Sequence, residues 1–288
     1  MNEPFATCTV AIIVLTSISS LMAFRDPVFQ EKHLFSVREI LTEKQYYRLF
    51  TGAFLHADWN HLLMNMISFY LFGRHIEYLF GPEKLLIIYF AAIAGGSILS
   101  LWIHRHHEYH AYGASGGVCG IIFSYIFLFP GSGISVFPLP VSVPAWLYAI
   151  LYFVGSIWAL KRQTDNIGHD AHLGGAIIGL WTTAVVEPWI VRGQPKLFLA
   201  ISVLSVLLCV YIAKNPLFLS LSTFRPILPT SKGKPGEQPR HTRKTLQVDA
   251  ILEKISESGF ESLSEEEKVL LRSASEEYRR RARTKKSG

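Results

Sequence analysis

The sequence predicts an all-α membrane protein: a bundle of six transmembrane helices, an added seventh C-terminal span, and a small helical tail outside the bilayer. Three observations carry this. Charged residues make up only 17% of the 288 residues while half are hydrophobic, whereas a soluble domain has about 25% charged residues. The apolar residues gather in seven runs, at about 7–24, 60–80, 85–104, 113–129, 143–160, 170–187 and 196–213, close to the roughly 17–25 residues that cross a bilayer. In lipid, a segment of that length satisfies its own backbone only as a helix.

The first run has no basic flank before it and no clear cleavage site, so it reads as a first span and not as a removed signal peptide. Residues 25–59 mix charges with Ile40, Leu41, Tyr46, Tyr47, Phe50, Phe54 and Leu55. That is too long and too amphipathic for a plain connector, and predicts an interfacial structure at headgroup level. The first six runs form the bundle, within a transmembrane domain of residues 1–213 whose core is 45–187. Residues 214–245 hold Pro216, Pro226, Pro229, Pro235 and Pro239 among several Lys and Arg, the composition of a linker. In 246–288 helical period returns, with Val248, Ile251, Leu252 and Ile255 on one face. Ser264 and Glu267 stand in capping-box spacing before Val269, Leu270 and Leu271.

The net charge of +6 is carried by the tail, because residues 1–213 hold 12 basic and 12 acidic side chains. A basic tail beside a membrane implies attraction to anionic headgroups. No nucleic-acid recognition motif accompanies it, so the bilayer is the expected partner and nucleic acid is not. Cys8, Cys119 and Cys209 all lie inside apolar runs without metal-type spacing and read as small buried hydrophobes.

Polar residues inside spans are costly and mark function. Three places stand out. His61 and Asn65 are four apart at the start of the second run, on one helix face. They are either hydrogen-bonding glue between helices or donors aimed into a shared cavity. Ser115 sits in Gly113-Ala114-Ser115-Gly116-Gly117 at the start of the fourth run. Such a patch packs helices closely. It also places a hydroxyl beside free N–H groups and a helix dipole that favours developing negative charge, as a nucleophile beside an oxyanion hole requires. His172 lies three residues before Gly175, which forms a small-xxx-small face with Gly179. It is either a histidine satisfied by a neighbouring helix or a base beside a tight contact. His169 and Asp170 lie nearer the aqueous end and read as loop or cap residues. Together the three places describe acyl transfer by a serine with a general base. The soluble nucleophile elbow fails on context, because no strand–turn–helix pattern surrounds Gly113-x-Ser115-x-Gly117.

The ordered set of motifs over about 45–180 resembles the rhomboid family: H-x-x-x-N at His61 and Asn65, G-x-S-G from Gly113 to Gly116, and A-H-x-x-G-x-x-x-G from Ala171 to Gly179. The stretch 73–81, GRHIEYLFG, looks like the turn after the family's second span, and Tyr47-Arg48 stands where rhomboids carry Trp-Arg. The resemblance implies a rhomboid-like six-helix bundle and an intramembrane serine protease with Ser115 as nucleophile and His172 as general base. It implies an oxyanion site of the Ser115 N–H, His61 and Asn65, and a structural His56. It implies neither metal nor cofactor, and single-span membrane proteins as substrates, cut where their helices unwind at small or helix-weakening residues. Cys119, four residues after Ser115, stands where many rhomboids have an aromatic packed on the dyad histidine, so that ring must come from elsewhere or be absent. The competing readings are a non-catalytic rhomboid-like protein that binds membrane helices, from which the serine or histidine is typically lost, and a transporter, which would carry charged midplane residues on broken helices.

The family orientation puts the N-terminus in the cytoplasm and the dyad toward the outer face. The positive-inside rule opposes it, because the outer loops would hold eight basic residues, from Arg25 to Arg162. The side of the tail depends on whether 196–213 spans. The resemblance, the short N-terminus and the lack of a transit peptide point to a bacterial inner membrane.

Overall fold

The computed structural model describes residues 6–135, 142–162 and 168–214 and, further on, 251, 263–264 and 266–271. The chain divides into two compact units, Met1–Ile227 and Leu228–Gly288, and the boundary falls within the proline-rich stretch. In the first unit α1 (Thr7–Arg25) leads into α2 (Pro27–His33), β1 (Phe35–Ser36), α3 (Val37–Thr42), α4 (Arg48–Thr51) and a 3-10 turn, Gly52–Phe54. Then come α5 (Trp59–Phe80), α6 (Pro82–His104), β2 (His110–Ala111), α7 (Ser115–Leu128), β3 (Gly133–Ser135) and β4 (Ser142–Pro144). The unit closes with α8 (Ala145–Arg162), α9 (His169–Val186), α10 (Trp189–Gly193) and α11 (Pro195–Lys214).

Each of the seven apolar runs is a helix, with ends within a few residues of those expected. Only part of the expected bundle follows from length and apolarity, however. Among the described residues, α1 and α6 are long and apolar enough to cross a membrane by themselves, and α7, α8 and α11 are apolar over shorter stretches. Helices α5 and α9 are long but diluted by His61, Asn65, Arg74, His75 and Glu77 in one and His169, Asp170 and His172 in the other. Of those polar residues Asn65 and Asp170 are buried, and the others are partly exposed.

The stretch 25–59 is folded, as expected. Arg48 is buried and donates from Nη1 to the carbonyls of Glu31 (2.7 Å) and Leu34 (2.9 Å) and from Nε to Gln45 Oε1 (2.7 Å). This guanidinium replaces backbone partners that the irregular segment cannot supply itself. β1 pairs antiparallel with β2, Phe35 opposite Ala111, tying the segment to the α6–α7 connection. Stretch 73–81 forms the last two turns of α5 rather than a turn. Gly81, at φ +83°, breaks the helix and Pro82 starts α6, the chemistry of a left-handed stop followed by a proline start. The Glu77 carboxylate accepts from the Cys8 N–H (2.8 Å), the Thr9 N–H (2.7 Å) and the Thr9 hydroxyl (2.7 Å), an anion on the free N–H groups that open α1.

Helix α7 is central and nearly all buried, between α5, α6 and α9. One apolar cluster, with Phe69, Tyr89 and Ile121, lies toward α1 and α5, and another, with Phe123, Phe153 and Leu180, toward α8 and α9. Across the α7–α9 contact the Ser124 and Thr183 hydroxyls meet at 2.6 Å, fully buried. Lys84 at the start of α6 pairs with Glu187 at the end of α9.

In the second unit the expected capping box is present: the Ser264 N–H donates to Glu267 Oε2 (2.8 Å) and the Glu267 N–H to Ser264 Oγ (3.2 Å). Ile251 is helical and buried. Val248, Leu252, Ile255 and the 214–245 linker after Lys214 lie outside the described residues.

Candidate active site

Ser115 is the first residue of α7, so its own N–H and the next two have no acceptor within the helix. Two constraints shape the approach to it. Gly113 stands at φ +144°, and a Cβ there would lie 2.8 Å from His61 Cε1 and 3.6 Å from Ser115 Oγ. A side chain is therefore excluded by both backbone and space, and the His61 ring is brought against the residue pair that precedes the serine. Ala114, between them, donates its N–H to His56 Nε2 at 3.3 Å.

His56 is fully buried and burial pushes its imidazole down to about 3. It is therefore neutral, and one proton arrangement satisfies all its contacts. Nε2 accepts from Ala114, Nδ1–H donates to Ser20 Oγ (2.9 Å), and Ser20 donates to the Phe54 carbonyl (3.1 Å). His56 thus links α1 to the backbone just ahead of Ser115.

His172 lies in the first turn of α9, its N–H on the Gly168 carbonyl (3.0 Å). Its Nε2 is 2.5 Å from Ser115 Oγ. The glycines account for that proximity. A Cβ on Gly175 would collide with the Gly116 carbonyl and stand 2.9 Å from Gly116 Cα, and one on Gly179 would overlap Gly120. Gly116 in turn faces the Ala171 carbonyl, 3.2 Å from where its Cβ would be. Helices α7 and α9 meet backbone to backbone at the residue after Ser115 and about one turn after His172.

Asn65 is buried and donates from Nδ2 to the carbonyl of His61, one turn earlier in α5 (2.9 Å), which leaves its second amide hydrogen for another acceptor. His61 Nδ1 accepts a long contact from the Ala57 N–H, 3.5 Å. A cavity of about 1100 Å³ is lined by Ser115, His172, His61, Asn65, Gly113 and Gly116, among others. Of the site residues expected from the sequence, His56, Gly175 and Gly179 lie outside this lining, His56 on the Ala114 N–H and the two glycines against α7.

Three features escaped sequence reasoning. Asp170 is not an aqueous cap residue: it is 2% exposed. Its Oδ2 lies 3.1 Å from His104 Nε2, off the line of that N–H, and its Oδ1 accepts a long hydrogen bond from the Tyr109 hydroxyl, 3.4 Å. His104 stacks on Tyr109 with ring centroids 3.6 Å apart, and its Nδ1 meets His107 Nε2 at 2.7 Å. Burial lowers His107 to about 4, and burial and the Asp170 carboxylate raise the Tyr109 hydroxyl. The i,i+3 pair of histidines closing the third apolar run was the available signal. The third feature is the neighbour of Cys119. Its thiol lies 3.0 Å from the hydroxyl of Tyr152 on α8, so an aromatic does face this position, from another helix. The His169 ring lies edge-on to His172, with centroids 6.0 Å apart.

A helical membrane bundle with a serine and a histidine hydrogen-bonded across two glycine-packed helices defines the class. The protein-family model for the Rhomboid domain matches residues 43–189, just over half of the chain, and the chain belongs to the rhomboid family. A second model, a family of unknown function (DUF6576), matches residues 239–277. The chain is 37% identical over 150 residues to RHOMBOID-like protein 12, mitochondrial, of Arabidopsis thaliana, covering 45% of this chain and 43% of that one. It is 26% identical over 156 residues to Rhomboid protein 1, mitochondrial, of Saccharomyces cerevisiae, covering 53% and 44%. It is 25% identical over 172 residues to Rhomboid protease GlpG of Haemophilus influenzae, covering 59% and 84%. The chain thus spans under half the length of the two mitochondrial relatives. The family is membrane-embedded, but mitochondrial, chloroplastic and bacterial relatives all occur, so the bacterial inner membrane expected from the sequence draws no support from them.

Proposed function

We propose that this protein is an intramembrane serine endopeptidase that cleaves transmembrane segments of single-span membrane proteins. The observation that carries the reading is the 2.5 Å approach of His172 Nε2 to Ser115 Oγ beside a cavity of about 1100 Å³. In this reading α1 and α5 to α9 form the six-span bundle and α11 adds a seventh.

The chemistry follows from the atoms present. Ser115 Oγ bonds to the scissile carbonyl carbon as its proton passes to His172 Nε2. Negative charge moves to the carbonyl oxygen, where the Ser115 N–H, the free Asn65 amide hydrogen and His61 Nε2–H can receive it. His61 is available because its Nδ1 is the acceptor toward Ala57. The protonated His172 then donates to the departing amide nitrogen as the C–N bond breaks, leaving an acyl ester on Ser115. Water then adds to the ester carbonyl as its proton passes to the same imidazole, and the imidazolium returns that proton to Ser115 Oγ as the C–O bond breaks and the acid product leaves. A carboxylate within reach of His172 Nδ1 is not required by these steps. A helical substrate must unwind at the cut, because its carbonyls are otherwise engaged in the helix.

The test uses purified protein in liposomes with a generic single-span substrate, comparing wild type, Ser115→Ala and His172→Ala. Cleavage by wild type that both substitutions abolish is the expected result. Cleavage that survives Ser115→Ala removes the nucleophile from the proposal. A folded, inactive wild type that still retains the substrate helix favours a non-catalytic helix-binding protein.

A further inference from the structure

The steps above leave unused the buried polar cluster behind the first turn of α9. Asp170, His104, His107 and Tyr109 line the same cavity as Ser115 and His172, and they join three separate elements: the end of α6, the α6–α7 connection and the start of α9. Such a cluster is not there for stability alone. A buried carboxylate is costly to desolvate, and apolar side chains of similar volume would hold these helices at least as well.

What apolar packing would not supply is direction. The glycine contacts below His172 bring α9 close to α7, but smooth glycine faces resist rotation and sliding weakly. The cluster resists both. Its contacts form a chain: His107 Nε2 meets His104 Nδ1 at 2.7 Å, His104 Nε2 lies 3.1 Å from Asp170 Oδ2, and the Tyr109 hydroxyl donates to Asp170 Oδ1 at 3.4 Å. His104 stacks on Tyr109, 3° from parallel, so the two rings brace each other beside the carboxylate. Asp170 and His172 are two residues apart, on opposite sides of the same turn, so a grip on one side governs the aim of the other. A side-chain tip lies about 5–6 Å from a helix axis, and a rotation of about 10° therefore displaces it by about 1 Å. Such an error is enough to cost on the order of 100-fold in rate.

We propose that Asp170 is a positioning residue: held by His104 and Tyr109, its carboxylate sets the rotation of the first turn of α9 and so the alignment of His172 on Ser115. The inference rests on the Ser115–His172 dyad proposed above. Asp170 itself touches no reacting atom.

The experiment uses the full chain in liposomes, with Asp170→Ala, Asp170→Asn and Tyr109→Phe beside wild type and Ser115→Ala. Three quantities are read: kcat and KM on the single-span substrate, the rate constant and end-point of Ser115 labelling by a fluorophosphonate, and the thermal midpoint. The labelling end-point counts correctly folded molecules, and the rate constant, normalised to it, reads alignment. Asp170→Ala lowers kcat and the normalised labelling rate by about 10- to 100-fold with KM within about twofold, a split that marks loss of an alignment made at the reacting centre. Asp170→Asn keeps the shape and one acceptor oxygen and recovers most of the rate. Should Asp170→Ala not fold, Tyr109→Phe, which removes one long hydrogen bond, carries the test, with a loss of about 2- to 5-fold in the same two rates. A purely structural role lowers the end-point and the midpoint and leaves the normalised rate at the wild-type value, and that result overturns the inference. Wild-type rates in both Asp170→Ala and Tyr109→Phe also overturn it. Labelling or cleavage that survives Ser115→Ala overturns the dyad, and this inference with it.

Discussion

Replacing Gly175 by alanine adds one methyl group at the closest point between α7 and α9, and the structure sets the size of the effect. The new Cβ would stand 2.9 Å from Gly116 Cα and collide with the Gly116 carbonyl. Carbon atoms pack comfortably at about 3.5–4.0 Å, so the helices must part by about 1 Å. Both neighbours are backbone, and no side chain can swing aside to absorb the change. Gly116 directly follows Ser115 and Gly175 lies one turn after His172, so the 2.5 Å between His172 Nε2 and Ser115 Oγ opens to about 3.5 Å, beyond the length of a working hydrogen bond. A displacement of this size costs on the order of 100-fold in rate, and the overpacking itself destabilises by about 1–3 kcal/mol. The assay is kcat on a single-span substrate, with the thermal midpoint in the same detergent. The control is Gly155→Ala on α8, where a Cβ meets nothing within 4 Å. That change is expected to leave activity unaltered and to favour the helix by about 1 kcal/mol. A Gly175→Ala protein with kcat within about twofold of wild type would refute the claim that backbone contact holds the dyad together.

His56 makes stability pH-dependent in a stated direction. Its imidazole is neutral when folded, at about 3 against the ordinary 6.5, so between those values the unfolded chain binds a proton that the native protein does not. Stability therefore falls as the pH drops from about 6.5 toward 3, by up to about 1.4 kcal/mol per pH unit, and is unaffected by this group above that window. Denaturation of wild type and His56→Asn at pH 7, 5.5 and 4.5 checks it, and equal slopes in the two proteins would rule the mechanism out. Glu77→Ala strips three hydrogen bonds from the start of α1 and lowers stability by about 1–3 kcal/mol. A thermal midpoint unchanged from wild type would show that the N-terminal turn of α1 is held some other way.

The helices were legible because a span is a local property: twenty apolar residues between polar breaks define it wherever it packs. The positions of α1, α5, α6, α7, α8, α9 and α11 all follow from that. Which helices cross a membrane was less legible: among the described residues α1 and α6 are long and apolar enough by themselves, whereas α5 and α9 are diluted by polar residues. The candidate site was legible as residue types, since glycines at four-residue spacing beside Ser115 and His172 announce a close helix contact. Asp170 was misread for the opposite reason. Position in the chain put it near an aqueous end, and its burial is decided by His104, His107 and Tyr109, more than sixty residues earlier.

By itself, then, the sequence determined that this is a helical membrane protein of the rhomboid family, with a serine and a histidine at two helix starts and a basic, proline-rich stretch before a capped helical tail. Only the tertiary structure decided how those starts meet: a 2.5 Å side-chain contact between helices packed backbone against backbone, an aromatic for Cys119 supplied from α8, and a buried carboxylate, Asp170, beside His104 and Tyr109. Hydropathy and glycine spacing act within a few residues of themselves, so they can be read in order along the chain. The partners of a buried polar group come from wherever the fold brings them, and the folded chain alone brings them together.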